Sequence, residues 1–242
     1  MRIGRREFIV GATAMLGGSV LARPIRSGIA GYRILHEEEE SIDLNPYVTS
    51  GLVAMWDAEW NVGFEEHSDD PAMWTDVSGN GHDLNLTDQN VVFSDWLASI
   101  PFSATIVSGT SEPVRCIEAV FGLTKTDPYF RGKIVHTGST YGIISRYKWL
   151  SVRTTDVAAS QMATDRDLTF AAYSFGIDFI YKNGVQQTTN RTSYTTQDVG
   201  SFGISLPASI RMTLANLRFY SRDLEPEEVA YNYSIDRARF GV

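Results

Sequence analysis

The sequence is poor in cysteine, in long apolar runs and in clustered positive charge. Its one cysteine, Cys116, excludes an internal disulfide and a zinc site built from several cysteines. No uncharged apolar run reaches the about 20 residues that a membrane-spanning helix needs. The chain carries 29 Asp and Glu against 21 Lys and Arg, a formal net charge of −8, and no basic cluster beyond the N-terminus. This balance argues against a nucleic-acid partner, because phosphate binding requires clustered cations.

The composition is that of a packed protein. Of the 242 residues, 43% are hydrophobic and 12% are aromatic, which is too apolar for a disordered tail. We therefore expect one medium-sized domain with a large core.

Residues 1–22 have the pattern of a signal peptide. Arg5 and Arg6 precede an apolar stretch from Phe8 to Ala22 that three glycines weaken. Paired arginines before a weak apolar stretch resemble a bacterial twin-arginine signal. The alternative is a membrane-surface N-terminus that stays attached. The first interpretation predicts a protein that is secreted or displayed on the cell surface.

Residues 23–48 read as a linker or N-terminal arm. The acidic run from Glu37 to Glu40 lies among glycines and prolines, and like charges of this kind repel one another and stay hydrated. The run is alternatively a calcium or partner site.

From residue 49 to residue 242 the pattern is that of an all-β domain. Short strands recur about every ten residues with no amphipathic helix between them, which predicts an antiparallel two-sheet sandwich. Asn183–Gly184 lies between two apolar runs and predicts a tight hairpin. One helix is expected near the end, where Pro226 suits a first helical position and Val229 and Tyr233 form an apolar face.

Four segments together resemble bacterial LamG-like domains of the concanavalin A-like lectin/glucanase superfamily. They are 51–56, 76–84, 179–185 and 215–224, the last running into the helix. The resemblance covers about residues 50–240 and implies a jelly roll with a concave and a convex face. It also implies binding of glycans or other surface ligands. The C-terminal segment that runs into the helix is similar to domains common in gut bacteria and their phages.

The loop from Asp76 to Asp83 is a candidate calcium site. Asp76, Asn80 and Asp83, with Asp57 from the preceding strand, offer the hard oxygen ligands that Ca²⁺ prefers, which would make it a structural ion. The same Asp-x-Ser-Gly-Asn-Gly string is also good turn chemistry, with Asx side chains bonding back to the chain. Both interpretations remain open at this stage.

Three tryptophans are candidate sugar platforms. Trp60, Trp74 and Trp96 lie in loop-like segments among polar residues, where an indole face can stack on a pyranose. The alternative for each of them is packing under a long loop. Trp56, by contrast, lies in an apolar strand and is expected in the core.

The sequence argues against an enzyme. Glycosidases need two carboxylates flanking the scissile bond, and the E-x-D-x-x-E string that supplies them on this fold is absent. The nearest strand acids, Glu118 and Asp178, are single and lie in different strands. The leading hypothesis is an exported, non-catalytic, lectin-like module. A structural or adhesive protein of a bacterial surface or phage particle is the alternative, and a glycosidase or lyase with an unrecognised acid pair is the weaker one; the oligomeric state stays open.

Overall fold

A computed structural model describes two units of the chain, Met1–Leu44 and Asn45–Val242. The residues described are 23–24, 32–33, 46–59, 72–94, 96–101, 103–108, 112–125, 131–137, 141–146, 149–154, 157–163, 168–176, 179–187 and 202–242. The proposed signal peptide lies outside them. In the first unit, β1 (Arg23–Pro24) pairs antiparallel with β2 (Tyr32–Arg33), inside the segment expected to be a linker.

The second unit consists of short strands followed by one helix. They are β3 (Leu52–Asp57), β4 (Met73–Trp74), β5 (Leu84–Asn85), β6 (Val92–Ser94), β7 (Leu97–Ile100), β8 (Thr105–Ser108), β9 (Cys116–Lys125), β10 (Arg131–Thr137), β11 (Tyr141–Arg146), β12 (Trp149–Thr154), β13 (Val157–Ala163), β14 (Leu168–Phe175), β15 (Ile180–Lys182), β16 (Val185–Gln186), β17 (Phe202–Ser205), β18 (Ile210–Tyr220) and α1 (Pro226–Phe240).

These strands form two antiparallel sheets, which confirms the predicted all-β, two-sheet architecture. Sheet I has the order β16-β15-β14-β9-β18-β7-β6, and β3 pairs with the C-terminal half of β18 beside β7. Sheet II has the order β13-β12-β11-β10-β17-β8-β5-β4. Neighbours such as β9 and β18 are far apart in sequence, so most of sheet I is held by long-range pairing.

The core lies between the two sheets. In β9, Ile117, Ala119 and Phe121 belong to the core, while the residues between them belong to the opposite face, as the period of two in a strand requires. Sheet II contributes Ile106 and Ile204, both fully buried in the same core. The sandwich is therefore filled by alternate residues of both sheets.

Trp56 lies in this core, as predicted. It is fully buried, and its ring meets Phe202 and Phe219 edge-on, with ring centroids 6.1 and 5.3 Å away. Its Nε1–H donates to the carbonyl oxygen of His82 at 3.0 Å. Even the polar end of the indole is thus satisfied inside the fold.

The predicted hairpin is confirmed. Asn183 and Gly184 join β15 to β16 with φ of 49° and 71°, the positive values that such a two-residue turn needs. A Cβ on Gly184 would lie 2.5 Å from the ring of Tyr233. The glycine therefore serves the turn and also allows α1 to approach closely.

Helix α1 starts where the sequence predicts and runs seven residues past Tyr233, to Phe240. At its start, the backbone N–H of Glu225 donates to Glu228 at 2.9 Å, and at its end Gly241 adopts φ 70° and donates to the carbonyl of Arg237. Val229 is buried against sheet I and Tyr233 packs half-buried there. Across the described part of the chain, no helix has the length and apolar character to span a bilayer.

Candidate functional site

Asp76 organises the loop that the sequence marks as a calcium candidate. Its Oδ1 accepts the backbone N–H groups of Met55 and Ser78, both at 2.9 Å, and its Oδ2 accepts that of His82 at 3.0 Å. The side chain is 5% exposed. Hydrogen bonds of this kind satisfy a buried carboxylate and fix the loop against β3.

Asn80 and Asp83 complete the same turn. The Asn80 amide donates to the carbonyl oxygens of Leu52 at 3.2 Å and Val53 at 2.9 Å, and Asp83 accepts the N–H of Asp76 at 2.7 Å. Each side chain therefore bonds back to the chain, which is the turn alternative that the sequence left open.

Asp57 takes part in a different set of contacts. It accepts two hydrogen bonds from the Arg239 guanidinium, at 2.7 and 3.0 Å, and one from the Asn216 amide at 2.7 Å. Among the described residues, no group of three or more His, Cys, Asp and Glu side chains is arranged to hold a metal ion. Asp57, which α1 engages, therefore belongs to a different set of contacts from Asp76, which N–H donors engage.

The structure describes two of the three candidate tryptophans. Trp74 is fully buried, donates Nε1–H to the carbonyl of Asp57 at 3.2 Å and meets Phe93 edge-on, which corresponds to the packing alternative and not to a sugar platform. It lies in β4, where alternation turns it inward and Met73 outward. Trp96 is half-buried, with ring centroids 5.7 Å from Phe170 and 5.6 Å from Phe240. Trp60 lies outside the described residues.

A buried polar network lies between sheet I and α1, and the sequence analysis did not foresee it. Register brings Ser174, Glu118 and Arg218 into one row across β14, β9 and β18. Glu118 accepts from Ser174 Oγ at 2.6 Å and from Arg218 Nε at 3.2 Å. The other two nitrogens of Arg218 form a two-pronged pair with Asp236 of α1, at 2.9 and 2.7 Å.

The N-terminal end of the second unit and helix α1 supply the remaining members of this network. Asn232 donates to Glu118 at 2.7 Å and to the Tyr220 hydroxyl at 3.1 Å, and it accepts the Val48 N–H at 3.0 Å. The Tyr47 hydroxyl donates to Asp236 at 2.8 Å, and its ring lies 3.9 Å from the Arg218 guanidinium. We use "buried polar network" for Tyr47, Glu118, Ser174, Arg218, Tyr220, Asn232 and Asp236.

The electrostatics of the network are those of a structural site. Burial raises the pKa of Glu118 above its ordinary value, while the Arg218 guanidinium opposes that shift. Burial likewise raises the pKa of Tyr220 well above its usual range. Glu118 and Asp236 are only 1% and 2% exposed, so this acid pair has no surface on which to meet a sugar. The signals in the sequence were charged residues flanked by apolar ones within strands, Glu118 in β9 and Arg218 in β18.

The outer face of sheet II carries three exposed side chains, those of Met73, Asn85 and Val107. Register aligns Met73, Asn85 and Val107 in one row across β4, β5 and β8, and the row continues through Gly203 of β17, His136 of β10, Gly142 of β11 and Arg153 of β12. Met73 is 48% exposed and Val107 is 39% exposed, whereas their strand neighbours Trp74 and Ile106 are fully buried. This row therefore lies on the face away from the core.

Known proteins share the fold of this chain. No protein-family model matches it, and no curated protein matches it. Among solved structures, the botulinum neurotoxin type G receptor binding domain is similar, with a TM-score of 0.57 at 13% identity over 77% of this chain and 52% of that one. Trypanosoma rangeli sialidase in complex with sialic acid has a TM-score of 0.52 at 16% identity over 76% of this chain and 32% of the sialidase. A mutant of that sialidase displaying trans-sialidase activity also has 0.52 at 16%, over 77% of this chain and 33% of the mutant. The chain spans about half of the toxin domain and about a third of the sialidases, and at these identities the likeness is one of fold.

Proposed function

We infer that the protein is an exported, non-catalytic carbohydrate-binding module and that its ligand lies across the outer face of sheet II. The observation that carries this proposal is that the two outer faces differ. On sheet I, α1 covers Cys116, Tyr220 and Val120 and encloses the buried polar network. On sheet II, Met73, Asn85 and Val107 are exposed.

The exposed row has the chemistry that a sugar requires. A pyranose presents apolar C–H faces and polar hydroxyls, and a site for it combines apolar contact with a few placed polar groups. Met73 and Val107 supply exposed apolar surface on either side of Asn85, whose Oδ1 accepts the Thr87 N–H at 2.9 Å and whose amide nitrogen can donate to a hydroxyl. Strands hold such groups more rigidly than loops do.

The similar structures support the same function. One is named as a receptor binding domain and another is a sialidase in complex with sialic acid. Glu118 is buried and bonded to Arg218 and Ser174, so this strand acid is not placed to act on a sugar, which favours binding over hydrolysis. Export follows from the twin-arginine pattern at Arg5 and Arg6.

A steric block on sheet II tests this proposal. Cys116 is buried and burial raises the pKa of its thiol, so it reacts poorly and an introduced cysteine is labelled selectively. The full chain is screened on a glycan array, and the bound glycan is titrated into Val107→Cys carrying a bulky maleimide. Val185→Cys with the same label is the matched control, since Val185 is 63% exposed on β16 of sheet I.

We expect the labelled Val107→Cys protein to lose at least about tenfold in affinity, the size of an interface hot spot, and the control to bind like the parent. Trp96→Ala is measured beside them, because Trp96 is half-buried and so keeps some exposure. Equal binding by both labelled proteins would overturn the location, and loss in Trp96→Ala alone would move the site to the helix side. A parent that binds no glycan would overturn the function and leave a structural or adhesive role, in which the exposed surfaces contact proteins.

A further inference from the structure

Strand β3 has one edge that no described strand covers. On one side, β18 pairs with β9 along its whole length, and on the other it pairs first with β7 and then with β3. Beyond β7 lies β6, but among the described strands none pairs with the far side of β3. An unpaired edge presents a row of N–H and C=O groups and is a template on which a strand of another molecule can add.

Alternate residues of β3 direct their backbone groups towards this free edge. At the end of the strand, the Ala58 N–H donates to the Ala215 carbonyl of β18 at 2.8 Å. In an antiparallel ladder the backbone groups of successive residues point alternately to either side, so those of Val53, Met55 and Asp57 point away from β18. All three residues are buried, and a buried backbone polar group without a partner is costly. These groups therefore need partners from outside the ladder.

The central partners come from the turn at residues 76–80, which we call the edge turn. The Met55 N–H donates to Asp76 Oδ1 at 2.9 Å, and the Met55 carbonyl accepts the Val77 N–H at 2.8 Å. Both the donor and the acceptor of one residue are thus engaged, as a neighbouring strand would engage them. The edge turn follows β4 of sheet II, so it also ties the two sheets together at this edge.

Side chains complete the cover of the edge. The Val53 carbonyl accepts from Asn80 Nδ2 at 2.9 Å and from Ser78 Oγ at 3.3 Å. The Asp57 carbonyl accepts from Trp74 Nε1 at 3.2 Å. The edge turn and the Trp74 indole therefore occupy the place beside β3 that β6 occupies beside β7.

We propose that the edge turn is a seal that prevents β3 from pairing with β3 of a second copy of this chain. A second copy is the partner that the seal excludes, because two identical edges can pair antiparallel about a two-fold axis. Strand β3 contains no lysine and no proline, the residues with which exposed edges are commonly protected. The protection comes instead from the Asp-x-Ser-Gly-Asn string of the edge turn, whose side chains bind the backbone of β3.

Replacing one amide by a carboxylate tests the seal. In Asn80→Asp an oxygen takes the place of Nδ2, and it faces the Val53 carbonyl oxygen without a proton to donate. Asn183→Asp is the matched control, since Asn183 also precedes a glycine in a turn and gains the same charge. Its Oδ1 accepts the Ala172 N–H at 2.9 Å, which an aspartate does equally well. Chelator is present throughout, so that the new carboxylate recruits no metal ion.

Sedimentation velocity and amide hydrogen exchange of the full chain are measured over a wide range of protein concentration. In dilute solution the Met55 amide of Asn80→Asp should exchange at least about tenfold faster than that of the parent, because the edge turn opens locally. As the concentration rises, the variant should dimerise and its Met55 amide should become protected again, since the second β3 now accepts it. The parent and Asn183→Asp should show neither change. Thermal melts establish that each variant is folded.

The proposal is wrong under any of three results. Faster exchange at Met55 that stays the same at every concentration would make the edge turn a support of the fold and not a seal. Dimers that leave the Met55 amide unprotected would place the contact elsewhere. Concentration-dependent protection of Met55 in the parent would show that the edge is already open. If Asn80→Asp does not fold, Ser78→Ala takes its place, because it removes the weaker of the two donors to the Val53 carbonyl, and the same outcomes then decide.

Discussion

Removing the guanidinium from the buried polar network tests how the helix is held. In Arg218→Met, the side chain keeps most of its volume but Glu118 and Asp236 lose the cation that they share. Breaking a buried ion pair from one side costs about 3–5 kcal/mol, because the remaining charge is buried without compensation. A domain with about 5–15 kcal/mol of stability would lose a large fraction of it.

Urea unfolding of the full chain, followed by tryptophan fluorescence at pH 7, measures this loss. Arg222→Met is the control: Arg222 also pairs with a carboxylate through two hydrogen bonds, but its side chain is 32% exposed, and such surface pairs contribute about 0–1 kcal/mol. The pKa of Glu118 is raised in the folded state, so protonation of Glu118 favours folding and its charge penalty grows as pH rises through the folded pKa. The deficit of Arg218→Met should therefore shrink at acid pH. A loss no larger than that of Arg222→Met would refute the reasoning.

Three further predictions concern Trp74, calcium and the N-terminal arginines. Trp74→Ala should cost about 3–5 kcal/mol of unfolding free energy, as large core truncations do, with glycan affinity of the folded protein unchanged; a stable variant with weakened binding would contradict this. The melting temperature of the full chain should be the same with excess calcium as with chelator, because Asp76 already accepts three N–H groups. A ligand at a hundred times its Kd would add about 2.7 kcal/mol to the free energy of unfolding, and a shift of that size would establish a site. Replacing Arg5 and Arg6 by lysine should retain the precursor in the cytoplasm, and unchanged secretion would contradict a twin-arginine route.

Local patterns predicted much of the fold. Positive φ is intrinsic to Asn183–Gly184, and a proline at the start of α1 is a local signal, so the hairpin and the helix start could be read from the sequence. Trp56 was predictable because it lies within a continuous apolar run. Trp74 was not, because a strand of two residues is too short for its alternation to be recognised in the sequence.

The sites depend on strand and side-chain pairings that cannot be read from local sequence patterns. Arg218 meets Glu118 across β18 and β9, a hundred residues apart in sequence, and Met73, Asn85 and Val107 share a row only through the register of β4, β5 and β8. A shift of one residue in either register would move these positions to the other face. Asp57 illustrates the same limit, since its partner Arg239 comes from the last turn of α1.

Mapping the bound glycan by NMR tests the central claim most directly. Backbone amide shifts of the full chain are followed during titration with a glycan that the array identifies as bound. We expect the largest changes to lie along one row of sheet II, at Asn85, Val107, Gly203 and Gly142, with little change around Trp96 and the end of α1. Changes that cluster at Trp96, Phe170 and Phe240 instead would place the ligand on the helix side and contradict the account.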